Sequence, residues 1–272
     1  MADLLDYTGV TVVITGAATG MGHETARLLL DAGADVHAVD VADVGIDVTR
    51  AHRCDLGDPL AIDATVAELP AEVDVLMNCA GIPNGTHWSA LDIMRVNFLG
   101  LRHLTDALVA RIPRGGAVTN IASVAGNGWV AHTAELAELM TATDFDARLA
   151  WCEARPDLLG DGYFFSKEAL QYFTFWRSAQ TVKDGVRMNA ISPGATDTKI
   201  MVDFRAAMGD AAIDMTADAA MGRLAEAREM APAMLFLSHP LAASYVCGAN
   251  LVIDGGFSAA LATDQVDVSR YL

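Results

Sequence analysis

The sequence predicts an α/β protein, a doubly wound parallel sheet in a single domain over residues 1–272. Three observations predict it. Short apolar runs rich in β-branched residues alternate with helical stretches, the pattern of strand–helix–strand crossovers. A glycine-rich turn joins the first run to the first helix. The 272 residues carry no repeat, linker or low-complexity stretch that would divide them.

The first strand is Val10–Ile14, short and β-branched, as in a strand buried on both faces. The turn Thr15-Gly16-Ala17-Ala18-Thr19-Gly20-Met21-Gly22 follows. Met21, Thr25, Leu28, Leu29 and Ala32 then share one helical face, and Gly33 ends that helix as a C′ residue. Asp35–Asp40 reads as the second strand. Val73–Asn78, Ala117–Ala122, Val186–Ile191 and Asn250–Ile253 read as further strands, with helices around Leu91–Arg111 and Ser166–Val182.

Charge narrows the function. Lys and Arg number 18 against 35 Asp and Glu, a net charge of −17. Such a surface repels phosphate backbones and anionic headgroups, so neither nucleic acid nor membrane is expected as a partner. No apolar run reaches the length of a membrane span, and the N-terminus lacks a basic, apolar leader. Cys54, Cys79, Cys152 and Cys247 are too far apart for a zinc knuckle or a disulfide framework. No metal is expected, and a reducing cytoplasm is the expected compartment.

A glycine turn at the C-terminal end of the first strand is where such a sheet binds ligand. Glycines at 16, 20 and 22 let the backbone approach a pyrophosphate, and the helix N-terminus at Thr19, Gly20 and Met21 offers free N–H groups to the anion. A strand before it and a helix after it place this turn in a doubly wound (Rossmann) sheet. Asp40 lies 20 residues beyond Gly20, at the end of the second strand. There a carboxylate accepts hydrogen bonds from an adenosine ribose and repels a 2′-phosphate. No Arg or Lys follows it at once, so NAD is expected over NADP. The plainer alternatives are an ordinary tight turn and a solvated strand-end carboxylate.

Tyr163 and Lys167 stand four residues apart on a helical stretch and share a face. A phenol titrates near 10. A neighbouring ammonium favours the phenolate, so the pair can exchange a proton with an alcohol or carbonyl oxygen. Alone, this spacing also fits a surface Tyr and Lys.

Together these motifs resemble the short-chain dehydrogenase/reductase family. Thr15–Gly22 matches its TGxxxGxG turn, and Asn78-Cys79-Ala80-Gly81 resembles its NNAG segment with Cys at the second position. Asn97 matches its helix asparagine. Ile121–Gly126 resembles the segment bearing its serine, here Ser123. Tyr163 and Lys167 match YxxxK. Pro193-Gly194, with Thr196 and Thr198, matches its nicotinamide loop, and Asp254-Gly255-Gly256 its last-strand signature. The matches run in order from residue 10 to residue 256.

The resemblance implies roles. Tyr163 is the expected general acid/base, and Lys167 lowers its pKa and holds the nicotinamide ribose. Ser123 bonds the substrate oxygen, and Asn97 holds a water linking Lys167 to solvent. Asn78, Ala80 and Gly81 line the adenosine–ribose side; Asp55 and Leu56 meet the adenine edge. Gly16, Thr19, Gly20, Met21, Asp40, Pro193, Gly194, Thr196 and Thr198 complete the expected NAD site. The implied activity is hydride transfer between NAD(H) and a secondary alcohol or ketone. The alternative is an NAD-binding sensor or partner subunit without turnover.

One departure stands out. Ser123 and Tyr163 are 40 residues apart, where most family members join them by a short loop. The excess, near residues 127–160, reads as a helical insertion, with Thr133 capping Ala134–Met140 and Asp144 capping Ala147–Ala154. A similar insertion marks the branch containing bacterial 3α-hydroxysteroid dehydrogenases. It is expected near the substrate mouth or over the outer face of the Tyr163 helix, where it blocks the common tetramer contact and favours a dimer. Residues 197–224, with Met201, Met208, Met215 and Met221, resemble the family's substrate lid. Methionines there suit a bulky, apolar substrate, hydroxysteroid-like, aryl or terpenoid, or pack the lid on the core.

Overall fold

The computed structural model describes residues 5–85 and 87–266. Among these residues nine strands run in chain order: β1 (Thr11–Thr15), β2 (Asp35–Asp40), β3 (Arg50–Arg53), β4 (Val75–Asn78), β5 (Ala117–Ile121), β6 (Arg187–Pro193), β7 (Thr196–Asp197), β8 (Ala225–Glu226) and β9 (Asn250–Ile253). Seven form one parallel sheet in the order β3-β2-β1-β4-β5-β6-β9. The short β7 and β8 pair separately. The chain leaves β1 towards β2 on one side and returns to β4 on the other. This reversal opens a crevice at the C-terminal strand ends.

The sheet divides two apolar layers by its alternation. Val13, Leu76, Val118 and Met188 face one cluster with Phe98, Leu104, Leu170 and Phe173. Val12, Ile14, Val75, Met77 and Ile191 face the other with Leu29, Met234 and Leu235. Successive side chains of a strand point to opposite faces, so one β-branched run serves both layers.

Three elements differ from the sequence reading. β3, Arg-Ala-His-Arg, is an edge strand in which only His52 is buried, so it lacks the apolar signature of the central strands. The stretch Leu91–Arg111 is not one α-helix. Ser89 and Asp92 form a capping box that starts Ala90–Met94; Arg95–Gly100 is a π-helical segment, and Leu101–Leu108 resumes the α-helix. Gly100 sits there because a Cβ would collide with the Leu56 carbonyl. The helix expected from Ser166 begins at Tyr163, after Gly162 in the left-handed region at φ 86°.

The insertion holds two helices, Thr133–Thr141 and Phe145–Glu153, and the short turn Pro156–Leu159. Asp144 caps the second, accepting from the Ala147 N–H at 2.8 Å. Thr133 does not cap the first. It is already helical, and its hydroxyl donates to the Val130 carbonyl at 2.8 Å. The insertion lies on the helix Tyr163–Thr181: Trp129 meets Tyr172 and Phe175, Trp151 stacks on Phe165, and His132 Nδ1 is 2.6 Å from Glu168.

Two buried arginines hold the turn between its helices. Arg102 donates to the Leu139 and Met140 carbonyls at 3.2 and 2.9 Å, and Arg148 to the Ala142 and Thr143 carbonyls at 3.1 Å each. Asp106 pairs with both. Burial pushes the Arg102 guanidinium down to about 10, still charged at neutral pH. Arg102→Ala strands these carbonyls and is expected to destabilise the protein by about 3 kcal/mol. Chemical denaturation checks the magnitude, and hydrogen exchange over residues 139–143 checks the location.

Candidate active site

A cleft of about 650 Å³ lies over the crevice. Its floor is the glycine turn. Gly16 has φ 71°, and a Cβ on it would stand 2.7 Å from the Ala80 backbone. A Cβ on Gly22 would collide with the Gly16 carbonyl. Gly20, at φ 61°, has only the Thr198 side chain nearby, at 3.6 Å. The backbone is thus bare where it faces the cleft. Thr19 precedes the helix Gly20–Asp31 without a side-chain cap, leaving the first N–H groups for an anion.

Asp40 closes one end. Its two oxygens accept from the Ala18 and Ala42 N–H groups, each at 2.9 Å. Each oxygen keeps a lone pair, so the carboxylate stiffens the turn and can still accept ribose hydroxyls. Asp55 lines the same end, its Oδ1 taking the Gly57 N–H at 2.7 Å, beside Leu56 and Val96. Bare glycines, an uncapped helix start and an acceptor carboxylate fit a dinucleotide.

Ala80 and Gly81 line the cleft, drawn to the turn because Thr15 Oγ1 accepts the Cys79 and Ala80 N–H groups at 3.0 and 3.1 Å. Asn78 does not line it. Its side chain is fully buried and donates to Thr105 at 3.0 Å and Asn120 at 2.9 Å. Of the loop residues Pro193, Gly194, Thr196 and Thr198, only Thr198 reaches the cleft. Gly194 packs behind it, where a Cβ would stand 2.7 Å from Asp254.

The other expected residues gather where β4, β5 and the helix Tyr163–Thr181 meet. Ser123 follows β5, and its hydroxyl accepts the Ala125 N–H at 3.1 Å. Tyr163 lies beside the Ser123 side chain. Burial raises its phenol to about 12, the nearby Ser123 hydroxyl opposing that shift. The sequence reading expected Lys167 to lower it. Lys167 Nζ lies 5.7 Å from the Tyr163 ring centre and donates to the Ile121 carbonyl at 3.2 Å. Burial holds its ammonium down to about 8, and desolvation outweighs the attraction between the pair.

Asn97 sits in the π-helical segment, a distortion common at functional sites. Its side chain pairs with both backbone groups of Ile82, Oδ1 accepting at 2.8 Å and Nδ2 donating at 2.9 Å. It therefore fixes the turn beside Gly81 and Lys167.

The sequence reading did not single out four residues that build this end. Asp161 accepts the Tyr163 N–H at 2.9 Å and the Asn84 amide at 2.7 Å, tying the loop after β4 to the helix Tyr163–Thr181. An Asp just before a helix is a recognisable turn signal; Asn84 carries none. Phe204, on the lid helix Met201–Met208, meets the Tyr163 ring edge-on with centroids 4.9 Å apart. Gln171 lies one turn beyond Lys167. In the C-terminal segment, Phe257–Ala262 is helical, and residues 267–272 lie outside the described residues. Among the described residues no helix is long and apolar enough to cross a membrane, and no cluster of His, Cys, Asp and Glu could hold a metal.

A family model described as short chain dehydrogenase matches residues 10–135, and one described as Enoyl-(Acyl carrier protein) reductase matches residues 159–258. The first span holds the glycine turn, Asn97 and Ser123; the second holds Tyr163 and Lys167. A coniferyl-alcohol dehydrogenase from a Pseudomonas species is 33% identical over 259 residues, covering 94% of this chain and 99% of that protein. A 3-alpha-hydroxysteroid dehydrogenase/carbonyl reductase from Comamonas testosteroni is 34% identical over 263 residues, covering 93% and 98%. The structure of a 3-alpha-hydroxysteroid dehydrogenase from Pseudomonas sp. B-0831, complexed with NADH, superposes with a TM-score of 0.79 at 27% identity, covering 93% of this chain and 98% of that one. A putative 2-deoxy-d-gluconate 3-dehydrogenase from Agrobacterium tumefaciens with bound NADP gives 0.70 at 27%, covering 94% and 99%.

Proposed function

Since this chain belongs to the short-chain dehydrogenase/reductase family and is an oxidoreductase acting on alcohols with a nicotinamide cofactor, we propose that it uses NAD(H) to interconvert bulky, apolar secondary alcohols and their ketones. The observation that carries this reading is the meeting of Ser123, Tyr163 and Lys167 at the strand ends, beside a glycine turn closed by Asp40.

In this reading Ser123 and Tyr163 hold the substrate oxygen between their hydroxyls. Tyr163 takes the proton from an alcohol and returns it to a ketone. The bound nicotinamide supplies the hydride acceptor or donor. Lys167 keeps a positive charge beside the phenol, favouring its anion, and holds the nicotinamide ribose with Thr198. Asn97 keeps the Gly81–Ile82 turn in place through its two bonds to Ile82. The turn Gly16–Gly22 holds the pyrophosphate, and Asp55, Leu56 and Ala80 the adenosine end.

NAD is favoured over NADP by charge. A 2′-phosphate would meet the Asp40 carboxylate, and like charges in contact cost several kcal/mol. Asp40→Ala is expected to raise the NADP-to-NAD ratio of kcat/KM by about tenfold or more. An unchanged ratio assigns the preference elsewhere.

Hydroxysteroid-like, aryl or terpenoid substrates are supported by the relatives' activities on coniferyl alcohol and 3-alpha-hydroxysteroids and by Phe204 against Tyr163. The test is a panel of cyclic, steroidal and aryl alcohols against small acyclic ones, followed by the absorbance of reduced nicotinamide. Higher kcat/KM for the small alcohols would remove the substrate reading and leave the chemistry standing. The covered face of the Tyr163–Thr181 helix favours a dimer over a tetramer, which a solution mass determination checks. Four free cysteines fit a reducing cytoplasm.

A further inference from the structure

The helix Tyr163–Thr181 carries Tyr163, Lys167 and Gln171 at successive intervals of four residues, along one face. The proposed chemistry uses the first two and leaves Gln171 without a role. Gln171 is 1% exposed. Its Nε2, with two hydrogens to give, lies 2.8 Å from the Ser123 carbonyl, 3.0 Å from the Ser192 hydroxyl and 3.1 Å from Asn127 Oδ1. A main-chain carbonyl can only accept, which fixes the amide orientation. Ser192 in turn donates to Asn250 on β9 at 2.8 Å. One buried amide thus ties the exit of β5, the end of β6 and the root of the insertion to the helix that carries Tyr163.

Forty residues and an insertion separate Ser123 from Tyr163, so local sequence cannot set their distance. The chain after Ser123 also lies directly on the helix. A Cβ on Gly126 would stand 2.5 Å from the Lys167 carbonyl and 2.8 Å from Gln171 Nε2. The Ser123 hydroxyl stands beside the Tyr163 phenol, while its carbonyl is held by Gln171 two turns along the same helix. An attachment to that one rigid element sets the position of the serine relative to the phenol.

We propose that Gln171 is a positioning residue, holding the Ser123 backbone so that its hydroxyl meets Tyr163. This rests on the catalytic reading of Ser123 and Tyr163 given above. Without the amide, Ser123 can rotate away from the phenol. The nearness of that hydroxyl, which holds the phenol pKa down, is then lost.

The test is a double-mutant cycle on the full chain. Gln171→Met keeps side-chain length and removes the donors; Gln171→Glu keeps the shape and sets an acceptor against the Ser123 carbonyl. Each is made alone and with Ser123→Ala. The readouts are kcat, KM, NADH affinity and the pH profile of alcohol oxidation. Alone, each is expected to lower kcat about tenfold, the scale on which a misplaced group costs rate, with KM and NADH affinity unchanged and the profile moved to higher pH. With the Ser123 hydroxyl gone, the same changes should cost less than about twofold, because coupled residues are not additive. A full additional loss in the Ser123→Ala background overturns the proposal, as does an unchanged kcat. Variants that lose NADH binding assign Gln171 to the fold and also overturn it. Full turnover by Ser123→Ala alone would instead refute the catalytic reading beneath it.

Discussion

Tyr163→Phe is expected to lower turnover by about three orders of magnitude, within the range of positioned acid–base groups, while NADH affinity is unchanged. The ring stays, with its edge contact to Phe204 and the Lys167 ammonium above it. Only the hydroxyl proposed to exchange the proton is removed. Binding and turnover should therefore separate, which a general loss of structure would not do. Retained turnover would take the proton-transfer role from Tyr163.

The pH dependence follows with its sign. Oxidation needs the phenolate as acceptor, and burial holds that phenol up near 12, so the oxidation rate climbs through the neutral and alkaline range. Reduction needs the protonated phenol and has no such climb. Lys167, held down to about 8, loses its charge as the pH passes that value. The cation that favours the phenolate is then gone, so the rise in oxidation should ease above about pH 8. Rate profiles in both directions on one substrate check this.

The second large effect belongs to the glycine turn. A methyl group on Gly22 would collide with the Gly16 carbonyl and stand 3.1 Å from the Cys79 side chain. One of these neighbours is backbone, so the helix must move off the strand. Gly22→Ala is expected to destabilise the protein by about 3 kcal/mol, at the upper end for overpacking, and to abolish NADH binding. Gly20→Ala is the contrast. It has space at 3.6 Å but a left-handed backbone, so its cost is only the strain of about 1–2 kcal/mol. Thermal denaturation and NADH titration of both variants separate collision from strain.

The sheet was legible because its central strands are buried on both faces and carry apolar residues on each: β4, β5 and β6 have no exposed residue, although Asn, Thr, Arg and Ser interrupt their apolar positions. β3 escaped because an edge strand needs only one buried residue in two, and its neighbours are Arg and Ala. The π-helical segment escaped because Arg95–Gly100 keeps helical side-chain spacing. The close approach of Gly100 at its end to the Leu56 carbonyl is a contact between distant parts of the chain. Asp40 was legible from its fixed offset after the glycine turn, and Tyr163 and Lys167 from their four-residue spacing on one helix, whereas Ser123 was expected only from the family resemblance. Asn78 shows the limit of that logic. Its backbone runs into the cleft segment, but its side chain turns inward to Thr105 and Asn120. The Tyr163 pKa ran against expectation because spacing reveals a neighbouring charge and not the desolvation around it. Gln171, Asn84 and Phe204 act across long sequence separations, which no local pattern encodes.

The most direct test is to titrate the protein with NADH by fluorescence and, on the same preparation, follow NADH formation from NAD and a secondary alcohol. The structure predicts saturable NADH binding and turnover on at least one cyclic or aryl alcohol. Failure to bind NADH would contradict the account at its base, the glycine turn with Asp40.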